Sequence, residues 1–398
     1  VMEKIDFLNY QGQTSPFPFL LEVDRAEGIF IFNKSGKAYM DMIAGVAVNN
    51  IGHNHPKVVK ALKEQIDHHL HVMVYGEFIQ DAQLNFARKL ASVLPVKLNC
   101  VYTVNSGTEA IEAALKLAKR VTGRTELVAF RGSYHGSTHG AMSVSGNEVK
   151  KQAFRPLLPD VRFLIHNKME DLDQITERTA GVIIETVQGD AGVRIPDAEF
   201  LKALRDRCDE VGALMLLDEI QPGFGRTGKL FGFQNYDVIP DVVVMGKGMG
   251  GGMPVGAFTA AASMMDLLSH DPKLGHITTF GGHPVIAAAC LATLQELTET
   301  KLMEQTLEKE ELFRSLLVHP LIKEVRGRGL MLAAMTETPE ITNEIVLRCH
   351  KRGLILFWLL FEGCAVRITP PLTISEDEIK KGCSIILEVL NEIATEMK

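Results

Sequence analysis

Between residues 100 and 245 the chain repeats one theme. Short, almost uninterrupted apolar runs lie at 100–104, 127–130, 161–165, 181–186, 213–217 and 242–245, with amphipathic helix patterns at 108–120 and 198–210 among them. A strand with one wet face shows a polar residue at every second position. These runs do not, so both faces of the sheet they build must be covered. Parallel strands with helices layered on either side meet that demand, and the expected core is α/β with a mostly parallel central sheet. The 398 residues, at ~100–200 per domain, allow two or three such units.

Ahead of this core, 28–32 and 37–42 flank the turn Asn33-Lys34-Ser35-Gly36 and read as a hairpin. Pro56 opens a helix over 57–66, where Val58, Val59, Leu62 and Ile66 recur at helical spacing. After Pro284 the texture shifts to long charged helices, then strands at 329–335, 353–357 and 365–368, and a last helix from Ser375. The longest apolar run, 354–361, is far below the ~20 residues needed to span a bilayer and reads as a buried strand. The expected organisation is an N-terminal segment, 1–48, packed with a small C-terminal α+β domain, 286–398, beside a large α/β domain, 49–285.

Lys and Arg number 42 against 49 Asp and Glu, a net charge of −7, and no basic run exceeds Lys150-Lys151 or Lys380-Lys381. Neither nucleic acid nor an anionic membrane is an expected partner. The six cysteines form no CxxC pair and no dense framework, and the N-terminus has no continuous apolar stretch like that of a signal peptide, so a cytoplasmic protein is expected. His53, His55, His68, His69 and His71 have no carboxylate or cysteine at ligand spacing beside them, and no metal is expected.

The apolar run ending at Asp218-Glu219 is followed by Gly223-Phe224-Gly225-Arg226-Thr227-Gly228-Lys229. An acid at the carboxyl end of a parallel strand stands where α/β ligand crevices open. A phosphate-loop reading fails on order and ending, since Leu230 stands where a hydroxyl residue is needed and the acidic strand lies on the wrong side. The stronger reading pairs Asp218 with Lys247, which leaves the run 241–245 between Gly246 and Gly248 and ahead of three further glycines. So little side-chain bulk would let a flat cofactor approach. A lysine stripped of hydration loses its proton readily and can form an imine with an aldehyde. With pyridoxal phosphate as that aldehyde, a carboxylate at the ring nitrogen is required, and Asp218 is the candidate. Asn105-Ser106-Gly107-Thr108-Glu109-Ala110, opening a helix after a strand, offers free N–H groups to a phosphate, or simply a capping box of Ser106 with Glu109.

Taken in order, Asn105 to Ala110, Tyr134-His135-Gly136, Gln188-Gly189-Asp190-Ala191-Gly192-Val193, Asp218 to Gln221 with the glycines to 228, the Lys247 loop, Thr278 to Pro284, and Arg367-Ile368-Thr369-Pro370-Pro371 resemble the class III pyridoxal-phosphate aminotransferases. The resemblance covers nearly the whole chain, and the segment 44–53 is similar to the acetylornithine branch. It implies the fold-type-I architecture of PLP-dependent transferases and pyridoxal 5'-phosphate as cofactor. Lys247 would carry the Schiff base and shuttle a proton, Asp218 would pair with the ring nitrogen, and Gln221 would bond the ring hydroxyl. Gly107 and Thr108, with Ser106, would hold the phosphate and Tyr134 would stack on the ring. Thr279 would reach the phosphate of a neighbouring subunit in a homodimer with shared sites, with Thr278 near the substrate.

Arg367 resembles the residue that grips the second carboxylate of 2-oxoglutarate. Asp190 stands where several members have a longer glutamate that pairs with that arginine, and Glu185 would lie behind the site. Ser137 departs from the arginine that ornithine, acetylornithine and 4-aminobutyrate enzymes place there, and His283 and Trp358 are further departures. The activity implied is ping-pong transfer of an amino group from an ω-amine or amino acid to a 2-oxo acid, 2-oxoglutarate by preference. An ω-amine:pyruvate transaminase, an aminomutase or racemase, and a non-catalytic cofactor-binding protein are the alternatives.

Overall fold

The computed structural model describes residues 2–397. Its centre is a seven-stranded sheet built from β4 (Cys100–Val104), β5 (Glu126–Phe130), β6 (Val161–Leu164), β7 (Thr179–Glu185), β8 (Leu214–Asp218), β9 (Val242–Gly246) and β10 (Gly256–Ala260). The order across the sheet is β4-β10-β9-β8-β7-β5-β6, with β10 antiparallel to both neighbours and the other pairings parallel. Alternate residues serve opposite layers. Leu214, Leu216, Val242 and Val244 pack on the side of the helix Gly107–Thr122, whereas Met215, Leu217, Val243 and Met245 join the cluster that holds Phe200 and Leu204 of the helix Ala198–Val211. Each such side chain contributes ~1.5–3 kcal/mol on burial.

The six apolar runs correspond to β4 through β9 with ends shifted by two residues at most. β10 is an addition. Its sequence, Gly256-Ala257-Phe258-Thr259-Ala260, carries little β signal, yet it is wholly buried, and a Cβ on Gly256 would lie 2.0 Å from the Ser106 carbonyl oxygen. Glycine is required at 256 because the backbone that follows β4 passes directly over it.

The hairpin is present as β2 (Phe30–Asn33) and β3 (Ala38–Asp41), its turn held by the Asn33 Oδ1, which accepts from the Ser35 and Lys37 amides. β1 (Val23–Glu27) extends it on one side and β13 (Leu354–Ile355) joins β3 in parallel on the other. A third, antiparallel sheet has the order β11-β12-β15-β14, from Glu324–Arg328, Met331–Met335, Ala365–Ile368 and Phe357–Trp358.

Two expectations are corrected here. The run 354–361 is not one buried strand. Its first two residues pair with β3, the chain then crosses at Leu356, and Phe357 and Trp358 pair with β15 in another sheet, while Leu360 ends exposed. Continuous hydrophobicity marks two successive burials against different partners. Nor is the first helix after Pro284 charged. Pro284–Glu299 buries Val285, Ala289, Cys290 and Leu294 against the helices Pro56–His68 and Asp81–Ser92, and Leu302–Leu316 is the charged one. Among the described residues no helix is long and apolar enough to cross a membrane, and no group of three or more His, Cys, Asp or Glu is placed to hold a metal ion.

Candidate active site

β7, β8 and β9 end at one edge of the central sheet, with Glu185 beside Asp218 in register. The residue after β9 is Lys247, whose φ of 43° lies in the left-handed region that a side chain ordinarily avoids. Strain of this kind, of order 1–3 kcal/mol, persists where the surroundings fix the backbone. Lys247, Asp218 and Glu185 line one cleft of about 160 Å³. Among the described residues the Lys247 amine has no hydrogen-bond or ion-pair partner, and burial pulls its pKa below the usual lysine value, opposed by Asp190, with Arg367 adding to the fall.

Asp218 is held from two sides. Its Oδ1 accepts from the Ile220 amide at 2.9 Å and its Oδ2 is 2.7 Å from the Nδ1 of buried His135. His135 escaped the sequence reading. It stands inside Tyr134-His135-Gly136, but 83 residues separate it from its partner, and only the fold brings a strand end and a distant loop together. Glu185 accepts from the amides of Tyr134 (3.0 Å) and Gly189 (3.1 Å); burial, with the Asp218 charge alongside, pushes its pKa well above the ordinary carboxylate range. Glu185 thereby braces the Tyr134 loop through these two amides.

Across the cleft, the helix Gly107–Thr122 presents its N-terminus. Gly107 and Thr108 line the cleft, and the Thr108 hydroxyl is 2.7 Å from that of Thr138. A Cβ on Gly107 would come within 2.8 Å of Ile220, and one on Gly136, whose φ is 137°, within 2.2 Å of the Thr108 hydroxyl. The helix end, the Ile220 turn and the Gly136 loop are therefore in direct contact, and all three line the cleft. Ser106 is the N-cap, its Oγ accepting from the Glu109 amide at 3.3 Å, while the Glu109 carboxylate takes the Asn105 amide.

Arg367, on β15, enters through Asp190. Its Nη2 is 2.6 Å from the Asp190 Oδ1, both side chains are almost fully buried, and its Nη1 reaches the Gln221 Oε1 at 3.4 Å. The shorter aspartate does reach. Asp190 also anchors the crossing strand, its Oδ1 accepting from the Leu360 amide and its carbonyl from the Phe361 amide.

Eight of the residues singled out in the sequence thus line one cleft: Gly107, Thr108, Tyr134, Glu185, Asp190, Asp218, Gln221 and Lys247. Ser137 sits on the wall of an adjoining cavity, its Oγ 3.1 Å from the Tyr134 hydroxyl. Thr278 lies elsewhere, with Thr103 and Gly282 around a separate cavity, and Thr279 is exposed outside this chain's cleft. The glycines after Lys247 also need correction. A Cβ on Gly248 would be 2.3 Å from the Asn50 Nδ2, and one on Gly251 2.3 Å from the Thr293 hydroxyl. They admit neighbouring protein side chains, not a ligand. Glu219 is likewise structural: it accepts the amides of Gly232 and Phe233, each at 2.7 Å, and burial raises its pKa to about 7, which leaves it no role in a phosphate loop.

Residues 11–390 match the family model described as aminotransferase class-III. The acetylornithine aminotransferase of Methanopyrus kandleri is 39% identical over 367 residues, 92% of each chain. The [LysW]-aminoadipate semialdehyde/glutamate semialdehyde transaminase of Sulfurisphaera tokodaii is 37% identical, covering 91% of this chain and 92% of its own. Among solved structures, the ornithine aminotransferase of Toxoplasma gondii superposes with a TM-score of 0.91 at 27% identity, covering 99% of this chain and 96% of its own. An (S)-enantioselective omega-transaminase of Thermomicrobium roseum gives 0.89 at 28%, covering 97% and 98%.

Proposed function

The chain belongs to the class III aminotransferase family, and from that premise we propose that it moves the terminal amino group of an acetylornithine- or ornithine-like donor to 2-oxoglutarate in two half-reactions, using pyridoxal 5'-phosphate held on Lys247. The observation that carries this is the buried Lys247 amine, without a partner among the described residues and in the same cleft as Asp218. An amine deprived of hydration is a nucleophile near neutral pH.

The residues present fit that cofactor. The helix N-terminus at Gly107 and Thr108 suits a phosphate. Asp218, its other lone pairs taken by His135 and the Ile220 amide, suits a protonated ring nitrogen. When bound, the cofactor supplies an aldehyde that takes the substrate nitrogen and a ring that withdraws electrons from the adjacent carbon. The protein supplies the rest. Lys247 takes the proton from the substrate carbon and returns it elsewhere. Tyr134 covers one side of the cleft, and Gln221 stands between the cleft and Arg367.

In the acceptor half-reaction, Arg367 would leave Asp190 for the second carboxylate of 2-oxoglutarate, a bidentate match for a guanidinium. In the donor half-reaction, Asp190 would take Arg367 back, so that no buried charge stands alone. Pyruvate has no second carboxylate and would gain nothing from this pair, which ranks it below 2-oxoglutarate. Thr278 and Thr279, both away from this chain's own cleft, support a dimer in which they serve a neighbour's site.

The test is reconstitution with pyridoxal 5'-phosphate, borohydride reduction and peptide mapping, followed by amino-donor titration read by the cofactor's absorbance. A mass adduct on the Lys247 peptide, donor-dependent bleaching, and recovery with 2-oxoglutarate at far lower concentration than with pyruvate are expected. Adduct elsewhere, or none, overturns the reading.

A further inference from the structure

On the cleft wall, the Thr108 hydroxyl is the first member of a chain of three side chains. Its oxygen is 2.7 Å from that of Thr138, and the Thr138 hydroxyl donates to the Glu112 Oε1 at 2.5 Å. Thr138 stands at the N-cap of the short helix His139–Val144, yet its hydroxyl caps nothing there. Glu112, from the helix Gly107–Thr122, takes the Ala141 amide at 3.1 Å instead. Two glycines let the segment lie this close: Gly136 against Thr108, and Gly140, where a Cβ would come 2.1 Å from the Glu112 Oε2. All three side chains are half-buried, which leaves the chain in proton exchange with solvent.

With Glu112 ionised the chain is satisfied by itself. Thr138 gives its hydrogen to Glu112, Thr108 gives its hydrogen to Thr138, and the Thr108 oxygen accepts the Thr138 amide at 3.3 Å. No hydroxyl hydrogen then faces the cleft. A phosphate monoester gives up its second proton near pH ~6 and at neutral pH brings acceptors. Once it meets the Thr108 hydroxyl, three oxygen-to-oxygen gaps (Glu112 to Thr138, Thr138 to Thr108, Thr108 to phosphate) share two hydroxyl hydrogens. A third hydrogen is needed. The helix end favours the doubly charged phosphate, whereas Glu112 has no cation paired with it among the described residues and gains a negative neighbour, which favours its protonated form. The charged groups around it are otherwise engaged or turned away: Glu109 takes the Asn105 amide, Lys116 is 2.9 Å from the His276 Nδ1, His135 faces Asp218, and His139 is exposed.

We propose that Glu112 is a positioning residue for the cofactor phosphate: when the phosphate docks, Glu112 takes one proton from solvent and donates it to Thr138, Thr138 turns its hydrogen to Thr108, and Thr108 turns its own to the phosphate. This rests on the reading above that Gly107 and Thr108 hold the phosphate.

The test counts protons. Protein freed of cofactor is titrated at pH 7 with pyridoxamine 5'-phosphate, which has no aldehyde and so does not react with Lys247, by calorimetry in buffers of different ionisation enthalpy. Wild-type protein is expected to take up roughly one proton more per site than Glu112→Gln or Thr138→Val. Glu112→Gln still accepts from Thr138 and Ala141 but has no proton to add, so it should bind about tenfold more weakly. Thr138→Val deletes a hydroxyl yet frees Thr108 to face the phosphate, and should bind within about threefold of wild type. A merely structural chain would not rank the two variants in that order. The phosphorus resonance of the bound ligand should keep its doubly charged position throughout. Equal proton uptake in all three proteins, or a singly charged phosphate, overturns the role of Glu112 alone. If wild-type protein binds pyridoxamine as tightly as its phosphate ester, the placement of the phosphate fails, and the role of Glu112 with it.

Discussion

Arg367 and Asp190 bury opposite charges 2.6 Å apart on two segments separated by 177 residues. Removing one partner from such a pair leaves an uncompensated charge and costs ~3–5 kcal/mol. Asp190→Ala should therefore lower stability by about that amount in urea unfolding at neutral pH. A structural pair and a substrate-exchange pair then part company. If Arg367 receives a dicarboxylate, 2-oxoglutarate should raise the melting temperature of Asp190→Ala more than that of the wild-type protein, and pyruvate should not. Equal shifts for the two acids would mean that Arg367 serves only the fold. The reach of Asp190 was open at the level of sequence, because one missing methylene matters only when the backbone separation is known. The strand crossing at 354–361 is what brings the chain to Asp190, through the Leu360 and Phe361 amides.

The elements that hold the site were legible in proportion to how locally their burial is encoded. Strands β5, β7, β8 and β9 bury side chains on both faces and so announce themselves as apolar runs. β10 and the split at Leu356 depend on which neighbours arrive, and nothing local encodes that. The same holds for the Lys247 loop, whose glycines imply close approach without naming what approaches. In Gly248→Ala the new methyl would press on Asn50, itself bonded to the Phe224 carbonyl at 2.8 Å, and overpacking should cost ~1–3 kcal/mol. In a double-mutant cycle with Asn50→Ala the two losses should fall short of adding; strict additivity would show that the loop yields elsewhere.

Beyond β6, His166 lies between the rings of Phe130 and Phe200, at 6.5 and 6.1 Å, and burial with Arg194 nearby lowers its pKa to about 4. An unfolded histidine takes its proton near pH 6.5. The stabilisation from keeping this ring neutral is complete above that pH and is lost as the pH falls towards 4, on the order of 3 kcal/mol. His166→Phe should flatten the fall in unfolding free energy between pH 6.5 and 4; an equally steep decline in the variant would clear His166 of the effect.

The three sheets are tied into one body by groups that belong to none of them. Arg226 is fully buried and has no carboxylate partner among the described residues, and burial lowers its pKa only to about 9, so it is charged at neutral pH. It donates to the carbonyls of Leu330 (2.9 Å) and Pro370, on the approaches to β12 and after β15, and to the Asn50 Oδ1 at 2.5 Å, which packs on the Lys247 loop. One guanidinium thus fixes the C-terminal sheet relative to the edge where the catalytic lysine is expected, and with it the position of Arg367 opposite Lys247.

Trp358, the single tryptophan, lies on β14 of that C-terminal sheet and reports its unfolding alone, whereas far-ultraviolet circular dichroism reports the whole chain. With Arg226 in place, the two signals should share one midpoint in urea, as for a cooperative transition. Arg226→Met keeps the bulk and removes the bonds, at a loss of ~2–3 kcal/mol. At a slope of ~1–3 kcal/mol per molar urea, the fluorescence midpoint should then move about 1 M below the dichroism midpoint. Coincident midpoints in the variant would place the coupling elsewhere, in the pairing of β13 with β3 that also joins the two ends of the chain.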